Sequence, residues 1–177
     1  SFRRVTNKVY ANISFEFPIM NMEKLLNESS YGLMKYSYFL PRFYYRNNYA
    51  SGRKLDISYR TNYTMPSLNQ LFPIPNNLNQ LNVYEGNVDL KPQYNHSLRL
   101  TWTVFDQFSF TSFYVSLRGN YSKDNISWSQ SIDDKFVRTT TPINVDGMYN
   151  FNSRIDFSTP LRKLGLDINL NSVESWS

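Results

Sequence analysis

The stretch Leu98-Arg99-Leu100-Thr101-Trp102-Thr103-Val104 decides how this chain is read. Leu98, Leu100, Trp102 and Val104 fall on one parity, and Arg99, Thr101 and Thr103 on the other. Side chains along a strand point alternately to opposite faces, so the pattern predicts a β-strand with one apolar and one polar face. Its flanks are unequal. Thr64 to Asn95 shows no clear periodicity and reads as a long loop, whereas Phe105 to Gln107 reads as a tight turn.

The alternation recurs along the chain. Val9, Ala11, Ile13, Phe15 and Phe17 oppose Asn12, Ser14 and Glu16. Leu55, Ile57, Tyr59 and Tyr63 oppose Asp56, Ser58, Arg60 and Asn62. Tyr149, Phe151, Ile155 and Phe157 oppose Asn150, Asn152, Arg154 and Asp156. Leu164, Leu166, Ile168 and Leu170 oppose Gly165, Asp167, Asn169 and Asn171. Two segments are less clean. Tyr36 to Tyr45 is aromatic on both faces and carries Pro41, which lacks a ladder donor and belongs at a strand start, an edge or a bulge. Between Phe110 and Phe113 the apolar parity switches, as it does across a β-bulge. Beyond this strand, Ile126 and Trp128 are expected to extend it, and Asp133-Asp134 to form a hairpin tip. Met20 to Leu33 places Met22, Leu25 and Leu26 at helix-like spacing, but Ser29, Ser30 and Gly32 follow, so it reads as a loop with at most a short helical turn. The sum is seven or eight strands.

Connections alternate between long and short. Met20–Leu33, Thr64–Asn95 and the stretch from Trp128 to Ile143 are long; Asn47–Arg53, Phe105–Gln107 and Ser158–Lys163 are short. A soluble sandwich has no reason to keep its long loops at one end. An outer-membrane barrel does, with short turns in the periplasm and long loops outside the cell. The fold predicted is therefore all-β: an antiparallel up-and-down transmembrane β-barrel segment spanning residues 1–177 as one domain. Its apolar faces would meet lipid. Its charged faces, carrying Arg60, Arg99, Arg118 and Arg154, would line a wet lumen. Tyr63, Phe105, Phe108 and Phe157 fall near expected strand ends, where interface aromatics belong. Alternation by itself fits a soluble sandwich equally well.

Composition narrows the alternatives. No run of about eighteen apolar residues is present, which excludes a membrane-spanning helix. A barrel strand needs only about ten residues, half of them free to be polar, so polar average hydropathy is no obstacle. The 14 Tyr and 13 Phe suit either an all-β core or interface girdles. Cysteine is absent, which removes disulfides and thiolate sites. His96 is the one histidine and reads as a strand-entry residue. The net charge of +5 is spread along the chain, unlike a nucleic-acid footprint. No acid/base pair, phosphate loop or nucleophile elbow stands out, so neither an enzyme nor a cofactor or metal is expected. Ser1-Phe2-Arg3-Arg4-Val5 has no signal-peptide core, and Trp176-Ser177 follows closely on a strand; both ends read as cut from a longer chain.

One region carries a resemblance. Residues 59–73 read YRTNYTMPSLNQLFP; later come Tyr84-Glu85-Gly86-Asn87-Val88-Asp89-Leu90-Lys91-Pro92 and then Asn95-His96-Ser97-Leu98. This resembles the barrel of TonB-dependent receptors in the outer membranes of Gram-negative bacteria. Pro66, Leu68, Leu71 and Pro73 match a Pro-x-Leu-x-x-Leu-x-Pro loop. Gly86, Asn87, Leu90, Lys91 and Pro92 match the motif after it, and His96 the strand opening beyond. Asp124-Asn125-Ile126 also fits the family's outward strand. The resemblance implies a receptor that takes up a bulky nutrient, with lipid, a plug domain, further barrel strands and TonB as partners of the parent protein. Such barrels have about 22 strands, so the chain would be a part without the plug. Two other functions stay open. One is a soluble glycan-binding module using Tyr44, Tyr45, Trp102 and Trp128. The other is a small, complete eight-stranded outer-membrane anchor or adhesin.

Overall fold

The computed structural model describes the backbone over residues 2–5, 8–26, 29–72 and 81–177, and side chains over 8–19, 36–72 and 81–177. Strand dominates. In chain order the elements are β1 (Phe2–Val5), β2 (Val9–Glu16), β3 (Ile19–Leu26), β4 (Ser29–Ser37), β5 (Leu40–Ala50) and β6 (Arg53–Thr64). A one-turn helix α1 (Leu68–Leu71) and a short strand β7 (Asn82–Tyr84) follow. The rest are β8 (Gln93–Asp106), β9 (Thr111–Lys123), β10 (Asn125–Ile132), β11 (Arg138–Val145), β12 (Met148–Leu161) and β13 (Leu166–Trp176). Among the described residues, no helix is long and apolar enough to cross a membrane.

Eight strands form one sheet in the order β1-β2-β5-β6-β8-β9-β12-β13. They appear in sequence order, so the sheet is an up-and-down meander and not a Greek key. Its short turns join β5 to β6, β8 to β9 and β12 to β13. The connections between β2 and β5, β6 and β8, and β9 and β12 are long and carry structure of their own. Antiparallel neighbours send alternate connections out of opposite ends of a sheet, so the length asymmetry read from the sequence is built into the topology.

Register keeps like with like. Ala11, Ile13 and Phe15 lie opposite Tyr45, Phe43 and Pro41, and Phe43 and Tyr45 lie opposite Tyr59 and Ile57. Phe157, Thr159 and Leu161 lie opposite Leu170, Ile168 and Leu166. Apolar ribbons thus fuse into one apolar face. Polar ribbons fuse on the other, with Arg46 opposite Asp56 and Asp156 opposite Asn171.

Four expectations need correction. Met20–Leu33 is not a loop: β3 and β4 pair there, with a register slip between Glu23 and Leu25. The slip breaks period-two patterning, which left helix-like spacing as the visible signal. Phe108 and Phe110 are turn residues; β8 continues through Asp106, and the parity switch marks the turn and not a bulge. Ile126 and Trp128 do not extend β9. Asp124 adopts φ 53°, the strand ends, and β10 pairs with β11 in a three-stranded sheet with β7. The stretch from Trp128 to Ile143 is accordingly a hairpin, tipped at Asp133 as the sequence indicates. Pro41 is the second residue of β5, a strand start.

The chain divides into two compact units. The first comprises Ser1–Thr61, Ser97–Gly119 and Phe151–Trp176; the second comprises Asn62–His96 and Asn120–Asn150 with Ser177. In the first, no protein layer covers the apolar face among the described residues. Trp102 is 38% exposed and Leu170 63%, and every residue of β13 is exposed. The buried side chains among the described residues are Leu40, Thr61, Pro66, Leu71, Leu90, Pro92 and Pro142, and five of these belong to the second unit. A sandwich would have covered Phe15, Trp102, Ile155 and Ile168 with a second sheet; here all four are exposed.

One turn is fixed by contact. Gly52 has φ +67°, and a Cβ there would fall 2.1 Å from the Phe105 carbonyl oxygen. Gly147 has φ +80° but open space around it. Both Gly→Ala changes meet the left-handed backbone penalty, about 1 kcal/mol. Gly52→Ala meets the clash as well, so its unfolding midpoint in denaturant should fall clearly below that of Gly147→Ala.

Candidate functional site

The described parts of the connection between β6 and β8, residues 65–72 and 81–92, are tied by hydrogen bonds. Ser67 caps α1: its hydroxyl accepts from the Gln70 backbone N–H at 3.3 Å, and the Ser67 N–H donates to Gln70 Oε1 at 2.8 Å. This reciprocal capping box starts the helix at Leu68. Of the loop-motif residues, Pro66 and Leu71 are buried, Leu68 is exposed, and Pro73 lies outside the described residues.

The second half of the motif latches onto β11. Asn87 accepts from the Asp89 N–H at 2.9 Å, closing an Asx turn, and donates through Nδ2 to the Pro142 carbonyl at 3.0 Å. Its backbone N–H donates to the Gln70 carbonyl at 2.8 Å, tying α1 to the same turn. Asn144 grips Lys91 from both sides: Oδ1 accepts from the Lys91 N–H at 2.8 Å, and Nδ2 donates to the Lys91 carbonyl at 3.0 Å. The same Nδ2 reaches the Asp124 carbonyl at 2.8 Å. Leu90 is 0% exposed, and Pro92 and Pro142 are also fully buried. Gly86 precedes the turn and is half-buried. Nothing in the sequence pointed to Asn144 or Pro142 as the receiving side, because their pairing spans more than fifty residues of chain.

His96 sits in β8 with its ring between Tyr94 and Tyr121, at centroid distances of 4.7 and 5.6 Å. That is an aromatic packing role. Among the described residues no three His, Cys, Asp or Glu side chains gather as a metal site. In the three-stranded sheet Tyr84 packs on Trp128 at 5.3 Å, and burial raises its phenol pKa above the ordinary value.

The polar face of the first unit carries the charge. Asp56 is the hub: Arg46 Nε lies 2.6 Å from Oδ1, Lys54 Nζ 2.8 Å from Oδ2, and the Tyr44 hydroxyl 3.2 Å from Oδ1. Arg42 forks onto Glu16 at 2.9 and 3.2 Å. Arg154 forks onto Asp156 at 2.7 and 3.2 Å, and Asn171 also donates to that carboxylate. The four arginines expected on this face therefore differ. Arg154 is tied down. The side chains of Arg60, Arg99 and Arg118 make no ion pair or hydrogen bond among the described residues.

Aromatics collect at the short turns. Phe105 and Phe110 meet edge to face at 6.5 Å, Phe108 is 81% exposed, and Arg162 stands 5.2 Å over Phe110 while donating to the Phe108 carbonyl at 3.0 Å. Asp106 stabilises the turn by accepting from the Phe108 and Ser109 N–H groups at 2.8 and 3.1 Å. Phe157, expected beside them, instead lies inside β12 opposite Leu170. Further along the apolar face, Trp102 Nε1 donates to the Tyr49 hydroxyl at 2.8 Å.

The latch gives a direct test. Asn144→Ala removes three bonds and strands the Lys91 N–H and carbonyl, a loss of about 1–3 kcal/mol locally. Limited proteolysis of residues 81–92 should accelerate severalfold, whereas Leu68→Ser, at an exposed position, should leave the rate unchanged.

No curated protein matches the chain. An up-and-down sheet, an uncovered apolar face, a charged opposite face and aromatics at the turns together call for lipid on one side and water on the other. The family model of the outer membrane protein beta-barrel family matches residues 16–175, from the end of β2 almost to the end of β13, and the chain belongs to that family.

Proposed function

We propose that this chain is part of the barrel of a TonB-dependent receptor that takes up a bulky nutrient across the outer membrane. Membership of the barrel family fixes the compartment as the outer membrane and lipid as the neighbour of the apolar face. The observation that carries the finer reading is the loop between β6 and β8. Its Pro66–Leu71 and Gly86–Pro92 elements match the receptor motif, and their contacts hold a long connection folded against a hairpin. Loops of that length without a functional role are uncommon in compact proteins. In this reading the long connections face outside the cell and contribute part of the nutrient site. The short turns with their Phe and Arg residues face the periplasm. A plug domain and further strands come from the rest of the parent protein, and TonB acts through that parent.

The strand count favours one second reading. Eight strands suffice for a small closed barrel, which would serve as an anchor or adhesin. Because the chain has no cysteine, one Cys placed in β1 and one in β13 would report closure cleanly. Efficient crosslinking within one chain supports the small barrel; its absence supports the larger one.

Two measurements test the proposal. In a variant keeping Trp102 as the sole tryptophan, brominated lipid should quench its emission strongly and acrylamide weakly. The reverse would remove lipid from the apolar face. For transport, cells carrying the parent protein should accumulate a labelled nutrient only when TonB is present. Uptake that persists without TonB across a panel of siderophores, vitamins, peptides and glycans overturns the receptor reading.

A further inference from the structure

On the polar face of the first unit, cations outnumber carboxylates, and the carboxylates there are largely engaged. Glu16 is held by Arg42, Asp56 by Arg46 and Lys54, and Asp156 by Arg154. Asp167, also on this face, sits on β13 opposite Pro160. Arg99 is left with no anion among the described residues, and it stands at the edge of a cavity of about 360 Å³. Arg46, Lys54, Asp56 and Ser58 line one side of that cavity, and Arg99 and Thr101 the other. Three cations against one carboxylate leave two positive charges around the space.

The arrangement suits a ligand better than it suits the empty protein. Asp56 carries one negative charge and already faces both Arg46 and Lys54, so the charge of Arg99 stays uncompensated. Arg118 adds to the excess. Arg99 and Arg118 lie on the neighbouring strands β8 and β9 of the same sheet. Like charges opposed on one face of a sheet destabilise it. An anion seated by Arg99 relieves that repulsion. A guanidinium presents two parallel N–H donors that match a carboxylate or phosphate edge, and the Ser58 and Thr101 hydroxyls add neutral donors beside it.

We propose that this cavity binds the carboxylate or phosphate groups of an anionic ligand carrying about two negative charges, with Arg99 as the fork that engages it. Arg46 and Lys54 contribute field while remaining on Asp56, and Arg60 and Arg118 raise the potential of the surrounding face. The inference rests on the polar face being wet, not on uptake driven by TonB. It would hold for a small barrel as well as for a receptor.

The test uses the whole chain in nonionic detergent micelles and pyrophosphate as the probe, titrated calorimetrically at low salt. Saturable binding is expected, weakening as NaCl is raised because the attraction is screened. Arg99→Gln should weaken it about tenfold, the loss of one charge-assisted bidentate contact. Arg99→Lys, which keeps the charge and loses the fork, should fall between the two. Lys163→Gln, an exposed cation in the β12–β13 turn, should leave binding unchanged. The circular dichroism of each variant verifies its fold; if Arg99→Gln fails to fold, Arg99→Lys and Thr101→Val carry the comparison. Adding phosphatidylglycerol to the micelles separates two sources of the same chemistry: competition assigns the cavity to lipid headgroups, and indifference assigns it to a soluble ligand. Failure of pyrophosphate to bind the wild-type chain overturns the proposal. So does an Arg99→Gln affinity equal to that of wild type, or an equal loss in Lys163→Gln. Loss of TonB-dependent uptake would leave it untouched.

Discussion

The structure depends on the contact its sheet does not make with protein. Period-two alternation fuses Leu, Ile, Phe and Trp side chains into a continuous apolar face, and the register of β2, β5 and β6 keeps that face unbroken. In water, such a face would drive a second layer to form or several chains to associate. In hydrocarbon it needs neither. Backbone donors and acceptors must then be satisfied within the sheet, because lipid offers them nothing, and a hydrogen-bonded meander satisfies them strand by strand. The polar face follows from the same requirement: charges excluded from lipid concentrate on the remaining side, where they pair and leave a positive remainder.

The two units obey different physics. In the first, side chains take their environment from the surrounding medium, and burial within the chain is slight. The second is assembled like a soluble protein. Leu71 and Leu90 are buried, a capping box starts α1, and Asn87 and Asn144 satisfy backbone groups that the loop could not satisfy alone. Pro66 and Pro92, which would disturb a ladder, are instead buried in this connection. The described parts of this long connection are thereby held against the hairpin.

Much of the sheet was legible because alternation is a local signal. The strands at Val9, Leu55, Leu98 and Tyr149 lie where period two places them, and the one expected from Leu164 starts at Leu166 because Leu164 and Gly165 belong to the turn. What escaped was non-local or masked by irregularity. The hairpin of β3 and β4 was hidden by its own register slip. The Asp56 cluster was hidden by another: the β5–β6 pairing shifts between Asn47 and Ala50, so counting back from the turn assigns Arg46 the wrong partner. Arg154 and Arg99 look alike in sequence, and only the placement of Asp156 beside the former separates them. The motif residues around Asn87 were visible as turn chemistry, but the latch of Lys91 on Asn144 joins segments more than fifty residues apart and leaves no local pattern.

The slip between Asn47 and Ala50 sets the phase of β5 against β6. Removing one residue from that short segment would rotate the strand's remaining side chains by half a pleat. Arg42 and Arg46 would then point toward hydrocarbon, and Phe43 and Tyr45 toward water. Insertions and deletions among descendants of this gene should consequently accumulate in the long connections and be purged from the neighbourhood of Gly52.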